Sequence, residues 1–456
     1  MTKRLVVIGG DAAGMTAASQ AKRRAGDDLE VVALERTHHV SYSACGIPYW
    51  VGGEVESGED LVARTPEEHR KRGIDLRMRH EVTGIDVDSR NVTINDVERA
   101  STYTLDFDEL VIATGAVPMR PDLPGADAAG IFGVQTLDDG GAVIEALRRD
   151  RPRTAVVVGA GYIGIEMAEA MVRQGLSVTV VDRAEQPMTT LDPDMGRLVH
   201  KAMEDMGIDV RTESAVERFV VDAGRVQGVV VEGETIEADI VMLGIGVRPN
   251  TALAGAAGLP LGSSGGLRVD RRLGVVGHDG IWAGGDCVET FNRVSQQWGH
   301  VALGTHANKH GRVIGENVAG GYATFPGVVG TAISKVCELE IARTGLGEVE
   351  AAAAGFGFIS VMIDATTTAG YLASARPMTV KMLAEVRSGR LLGAQIVGRE
   401  GSAKRIDVCA VALWNEMTVE EMSGLDLGYA PPFSPVWDPV LTAARAAASQ
   451  LARPRS

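Results

Sequence analysis

Cys45 sits in the stretch Ser41-Tyr42-Ser43-Ala44-Cys45-Gly46-Ile47-Pro48-Tyr49, shortly after an apolar run that ends at Glu35. A helix N-terminus or glycine-rich turn there would lower the thiol pKa and make a reactive thiolate. Position alone leaves a second reading open, in which Cys45 is a small buried hydrophobe like most free cysteines. The other cysteines are scattered: Cys287 directly follows Asp286 and reads as a bystander, and Cys337 and Cys409 read as core. With no CxxC pair, neither a disulfide framework nor a zinc site is expected. The nine histidines show no metal-ligand spacing with the cysteines, so no metal is expected.

Two glycine turns point to dinucleotide binding. The second is complete: Gly159, Gly161 and Gly164 lie between the apolar run Thr154–Val158 and a helical pattern that contains Tyr162 and Ile163. The run Ser177–Val181 follows and ends in Asp182. In such a turn the first glycine makes the bend, the second admits the pyrophosphate, and the third lets helix pack on strand. The phosphates then meet free N–H groups at a helix N-terminus. The terminal acid accepts hydrogen bonds from a ribose, and Asp182 favours NADH because a carboxylate repels a 2′-phosphate. Arg183 beside it softens that preference, so NADPH stays open. The first turn follows Leu5–Ile8 and contains Gly9, Gly10, Ala13 and Gly14, with Glu35 ending the next strand. Its middle position is Asp11, awkward beside a pyrophosphate. The expectation is that Asp11 points away or caps the following helix.

These motifs need positioning elements. Residues 4–36 and 154–182 both read as strand, turn, helix and strand, an internal repeat of a βαβ unit. A further strand and turn is read at Ile281–Asp286. Residues 326–446 look different, with strand-like runs at Phe358–Ile363, Met378–Leu383 and Leu391–Val397. A helix with Ile406, Cys409, Leu413 and Met417 on one face follows, and Thr418 with Glu421 reads as a capping box. Such a mix suggests an α+β domain.

The formal net charge is −15, the opposite of a nucleic-acid binder. No apolar window of about 20 residues exists, so no membrane span is expected. The apolar run after Met1-Thr2-Lys3-Arg4 is too short for a signal-peptide core, and a cytoplasmic location is expected.

Across its full length the sequence resembles the pyridine nucleotide–disulfide oxidoreductases. The opening glycine turn, Ala113-Thr114-Gly115, the second glycine turn and Ala283–Asp286 occur in that family's order. The SxxxCGxPY stretch around Cys45 resembles the single-cysteine branch, which comprises coenzyme A disulfide reductases, NADH oxidases and NADH peroxidases. The two-cysteine relatives carry a partner cysteine just upstream, where this chain has Ser41. The resemblance implies an α/β fold with two Rossmann-like dinucleotide-binding domains, for FAD and NAD(P)H, and a C-terminal α+β dimerisation domain. It sets the FAD domain at residues 1–115 and 246–325, the NAD(P)H domain at 116–245 and the dimerisation domain at 326–446; residues 447–456 read as a frayed tail.

Within that branch, the oxidases and peroxidases carry a histidine where this chain has Ala12. The segment Tyr429–Pro439 resembles the C-terminal signature of coenzyme A disulfide reductases. No HxxxxE dyad is recognisable, so Tyr429 and Tyr371 are expected to act as proton donors in the partner subunit of a homodimer. The resemblance places Asn308 near the redox sulfur. It assigns Glu35, Arg36, Ser41, Thr114, Gly115, Gly246, Gly285, Asp286 and Ala302 to cofactor contact, with Asp286 on the flavin ribityl chain. The implied function is reduction of a small disulfide, coenzyme A disulfide or a CoA persulfide or polysulfide, through a Cys45 mixed disulfide. An oxidase or peroxidase using a Cys45 sulfenic acid and a ferredoxin-reductase-type electron carrier are the alternatives. A coenzyme A phosphate would need basic residues, and Lys22, Arg23, Arg64 and Lys71 are the candidates, with Arg24, Arg70 and Arg72 nearby. The rhodanese domain that some members carry is not expected here.

Overall fold

The computed structural model describes residues 2–453. Leu5, Val6 and Val7 are fully buried, as befits a strand covered on both faces of a parallel sheet. That strand, Lys3–Ile8, is the centre of a five-stranded parallel sheet. Leu29–Glu35 and Ile74–Met78 lie to one side, and Glu109–Ile112 and Ile281–Ala283 to the other. A second five-stranded parallel sheet repeats the plan around Thr154–Val158. Its flanks are Ser177–Val181 and Asp209–Arg211 on one side, and Ile240–Leu243 and Ile131–Gly133 on the other.

Each parallel sheet is accompanied by a three-stranded antiparallel sheet, made by 80–106 in the first unit and 216–237 in the second. These sheets leave no clear signal in the sequence. Their alternating strands are short and interrupted by charge, so their periodicity is weak.

Helices Ala12–Ala25 and Gly304–Val318 pack against each other at backbone distance. A Cβ added at Gly311 would stand 2.4 Å from the Ala13 carbonyl oxygen, and one at Gly315 would stand 2.6 Å from that of Ala17. The third sheet is antiparallel, in the order Ala332–Val336, Leu339–Gly345, Leu391–Gly398, Pro377–Glu385, Phe358–Thr366. Helix Ile406–Trp414 buries Ile406, Cys409 and Leu413 against it. Met417 lies past that helix, and the expected Thr418–Glu421 capping box opens the next one. The expected tail is corrected from residue 447 onward. Helix Pro439–Leu451 continues through it with Ala447 fully buried, because its alanine face packs on the third sheet. Residues 454–456 of that tail lie outside the described residues.

The second and third sheets are locked by Lys381, which is 2% exposed. Its ammonium lies 2.7 Å from Asp194, 2.8 Å from Glu348 and 3.0 Å from Asp192. Gln395 completes the cluster, donating to Asp192 at 2.7 Å and accepting its backbone N–H at 2.8 Å. Among the described residues, no helix is long and apolar enough to cross a membrane.

Candidate active site

The two glycine turns have the same internal wiring. In the first, Gly9 has φ +111°, and a Cβ at Gly14 would stand 2.1 Å from the Gly9 carbonyl. In the second, Gly159 has φ +96°, and a Cβ at Gly164 would stand 1.9 Å from the Gly159 carbonyl. Glu35 accepts the Gly10 and Thr37 N–H groups, both at 2.7 Å. Asp182 accepts the Ala160 N–H at 2.5 Å and the Ala184 N–H at 2.8 Å. Each carboxylate oxygen keeps a free lone pair for a ribose hydroxyl. Arg36 and Arg183 are exposed beside their acids.

The backbone beside these turns is open to a ligand at two positions. A Cβ at Gly161 would meet only the Gly244 oxygen, at 3.9 Å, and one at Gly115 would meet nothing within 4 Å. Gly115 and Gly246 hold left-handed conformations, at φ +69° and +98°. Both belong to the double linkage between the parallel sheets, the antiparallel pair Ala116–Pro118 and Val247–Pro249. The Thr114 hydroxyl donates to the Asn250 carbonyl at 2.7 Å, bracing that linkage. Tyr162 is partly buried and its hydroxyl accepts from Thr190 at 3.3 Å; Tyr162 and Ile163 both pack against the core of the second sheet.

Asp286 lies in the segment after Ile281–Ala283, and burial pushes its carboxyl above the usual range. The preceding Gly285, at φ +82°, donates its N–H to Nδ1 of buried His310 at 3.1 Å. His300 donates from Nε2 to the Asp286 carbonyl at 2.9 Å. Ala302 directly precedes Leu303, the N-cap of helix Gly304–Val318. Asn308 on that helix is paired with the Thr16 hydroxyl at 3.0 Å and donates to the Gly304 carbonyl at 3.4 Å. It makes no hydrogen bond to Cys45, so the expected contact with the thiolate is not formed in this structure.

Cys45 is exposed in a short 3-10 turn, Ala44–Gly46, that leads into helix Ile47–Val51. The expectation of a lowered thiol pKa is corrected. Burial of the sulfur's surroundings pushes it up, and the carboxylates of Glu166, Asp286 and Asp11 add to this. The loop is held by Ser41, whose φ is +50° and whose hydroxyl lies 2.9 Å from His69 Nε2. Burial, then Arg64 and Arg72, push buried His69 down to about 4. Asp11 does not cap its helix through its side chain, as one expectation had it. The helix start leaves its carboxylate free to accept the Tyr42 N–H, at 3.2 Å. Burial, with Glu35 and Asp286 nearby, raises it to about 6.

Two residues beside Cys45 were missed in the sequence. Glu166, in the first turns of helix Tyr162–Arg173, accepts from Ser334 at 2.8 Å and is raised by burial. The Tyr49 phenol is raised by burial and then by Glu166, Glu169, Glu54 and Cys45. The helical spacing after the second glycine turn offered a signal for Glu166; nothing in the sequence singled out Tyr49 beyond its place in the motif.

The basic candidates divide. Lys22 donates to the carbonyls of Gly26 and Leu29 at 2.8 and 3.1 Å, so it caps its own helix and is removed as a phosphate ligand. Arg23 is spent on Gln20, Arg24 on Glu316, and Arg70 on the Leu76 carbonyl. Arg64 and Lys71 make no hydrogen bond or ion pair among the described residues, and Arg64 adjoins the Ser41–His69 pair. Tyr371 and Tyr429 are 77% and 49% exposed, and neither is hydrogen-bonded to the Cys45 loop. Their segments are joined: Ala369 donates to the Pro431 carbonyl at 3.0 Å. Arg405 ties both, donating to the Thr367 and Phe433 carbonyls at 2.7 and 2.8 Å.

Residues 3–311 match the family model described as pyridine nucleotide-disulphide oxidoreductase, and residues 331–439 match that of its dimerisation domain. The chain is 36% identical over 451 residues to a Methanocaldococcus jannaschii protein named NADH oxidase, covering 98% of this chain and 99% of the relative. It is 35% identical over 455 residues to a Pyrococcus horikoshii NAD(P)H coenzyme A polysulfide/persulfide reductase, covering 98% of each. The solved structure of a NAD-dependent persulfide reductase from A. fulgidus matches with a TM-score of 0.94 at 38% identity, covering 98% of this chain and 83% of that one.

Proposed function

The chain belongs to the pyridine nucleotide-disulphide oxidoreductase family, and on that premise we propose that it reduces a small disulfide with electrons from NADH. The substrate we infer is coenzyme A disulfide, or a CoA persulfide or polysulfide, with Cys45 as the one redox sulfur. The enzyme is an FAD-dependent NAD(P)H oxidoreductase. In this reading residues 1–115 and 246–325 hold FAD, 116–245 hold the nicotinamide nucleotide, and the domain from 326 onward joins two copies. FAD, when bound, passes two electrons from the nicotinamide to the sulfur.

The observation that carries the proposal is the isolation of Cys45. It is the exposed cysteine of the chain, while Cys287 and Cys409 are buried and Cys337 sits in the turn between two strands of the third sheet. With no second thiol in its loop, Cys45 exchanges with a sulfur from outside. Its thiolate attacks one sulfur of the substrate; the substrate S–S bond breaks and a Cys45 mixed disulfide forms. The departing thiolate takes a proton from a tyrosine, Tyr371 or Tyr429. Their exposure, with no hydrogen bond to the Cys45 loop of their own chain, supports supply by a second copy. Two electrons then split the mixed disulfide, returning Cys45 to the thiolate and releasing the second substrate thiolate, which takes a proton from water. Asp182 on two backbone amides supports NADH over NADPH. Arg64 and Lys71 remain the candidates for a coenzyme A phosphate.

The test is anaerobic NADH consumption with coenzyme A disulfide, comparing the natural protein with Cys45→Ser and counting released thiol. Two thiols per NADH, lost in the variant, is the expected result. Consumption that begins only when oxygen or peroxide is admitted would replace this reading with the oxidase or peroxidase one.

A further inference from the structure

The repeat between the two nucleotide units extends beyond the glycine turns. Six residues after Glu35, Ser41 is left-handed at φ +50° and donates its N–H to the Gly10 carbonyl at 3.0 Å. Six residues after Asp182, Met188 is left-handed at φ +58° and donates its N–H to the Ala160 carbonyl at 2.8 Å. Both loops are thus anchored to the second residue of their turn by one backbone bond. The units part at the next residue. Position 161 is glycine with open space beside it, and among the described residues the further tie of the second loop is between side chains, the Thr190 hydroxyl donating to that of Tyr162 at 3.3 Å. Position 11, the N-cap equivalent of Gly161, carries a carboxylate that takes the Tyr42 N–H at 3.2 Å. The loop whose backbone amide is held by the turn's own middle side chain is the one that carries Cys45.

We propose that Asp11 is a positioning residue, which replaces the middle glycine of the first turn in order to fix the Cys45 loop to the FAD-binding turn through the Tyr42 amide. The inference rests on the function proposed above for its catalytic consequence, and on the internal repeat for its structural one. The placement is unfavourable in itself, since a buried carboxyl beside Glu35 and Asp286 sits well above its ordinary pKa. A turn built only to hold phosphates is better served by glycine. Tyr42 and Cys45 both feel the Asp11 charge, which places the carboxyl at the junction of turn and loop.

The experiment uses the FAD-loaded protein and compares Asp11→Gly, Asp11→Asn and Cys45→Ser. Asp11→Gly makes the first turn like the second. Asp11→Asn keeps an acceptor for Tyr42 without the charge. Hydrogen exchange of the 41–49 segment is measured alongside FAD content and the ratio of coenzyme A disulfide turnover to NADH–dye turnover. The expected result for Asp11→Gly is faster exchange in 41–49, retained FAD, and a ratio lowered by about tenfold, the weight of one well-placed hydrogen bond. Asp11→Asn should restore both readings toward the natural protein. Unchanged exchange and ratio in Asp11→Gly would overturn the proposal, as would loss of FAD with the loop unaffected. If Cys45→Ser keeps its disulfide turnover, the disulfide reading fails, while the exchange result still decides the role of Asp11.

Discussion

Replacing Gly161 by alanine separates what the fold needs from what the ligand needs. Gly161 has an ordinary negative φ of −78°, and an added Cβ would meet nothing closer than 3.9 Å. Alanine therefore costs the folded chain little. A weaker N-cap loses up to about 1 kcal/mol, and the lower entropy of the unfolded chain returns about 0.4–1 kcal/mol. A pyrophosphate drawn against this turn would meet the new methyl group, and such overpacking costs roughly 1–3 kcal/mol. At 1.4 kcal/mol per decade, NADH binding weakens by about 5- to 150-fold. The assay is NADH titration with steady-state KM, alongside a thermal melt and the FAD content. The expected outcome is a raised KM for NADH with melting temperature and FAD unchanged. An unaltered KM would refute the assignment of this turn to the nicotinamide nucleotide. A collapse in melting temperature would refute the reading of the empty space. Gly164→Ala is the contrasting control, because its Cβ would lie 1.9 Å from the Gly159 carbonyl and must push helix from strand.

Acid should destabilise the protein through three buried histidines. His69 and His306 are held down to about 4 and His310 to about 3, each by burial first. Their folded pKa values lie below the unfolded value, so their stabilisation is full above about pH 6.5 and is lost as pH falls toward 4. At pH 5 the loss is on the order of 2 kcal/mol per histidine, and the raised carboxyls of Asp11, Glu166 and Asp286 oppose it in part. Melting temperature should fall between pH 7 and pH 5, and a flat profile would contradict the burial argument. Lys381→Ala leaves Asp192, Asp194 and Glu348 without their shared cation. It should cost about 3–5 kcal/mol. A denaturant midpoint equal to that of the natural protein would show that the cluster does not lock the two sheets.

The two βαβ units could be read from the sequence because their determinants are local. Glycines that need a left-handed φ or a backbone approach leave a fixed spacing, and buried parallel strands leave unbroken apolar runs such as Leu5–Ile8 and Thr154–Val158. The acids at Glu35 and Asp182 follow from the same spacing, and the Thr418–Glu421 capping box from a four-residue pattern. Cys45 stood out through its motif, not through any physical property of its position. Its setting is not legible in the sequence because the burial that raises it, and the carboxylates at 11, 166 and 286 that add to it, come from distant segments. The fates of the basic residues were equally hidden. Lys22 is consumed by its own helix end, while Arg64 is set beside the Cys45 loop by the fold around His69. The continuation of the last helix to Leu451 depends on a sheet to bury its alanines, since alanine-rich ends are marginal alone. Spacing along the chain thus determined the scaffold and the candidate sulfur. Pairings across the chain, among them Asp11 with Tyr42, were decided only when folding brought side chains into one desolvated space, where their charges and hydrogen bonds act on each other.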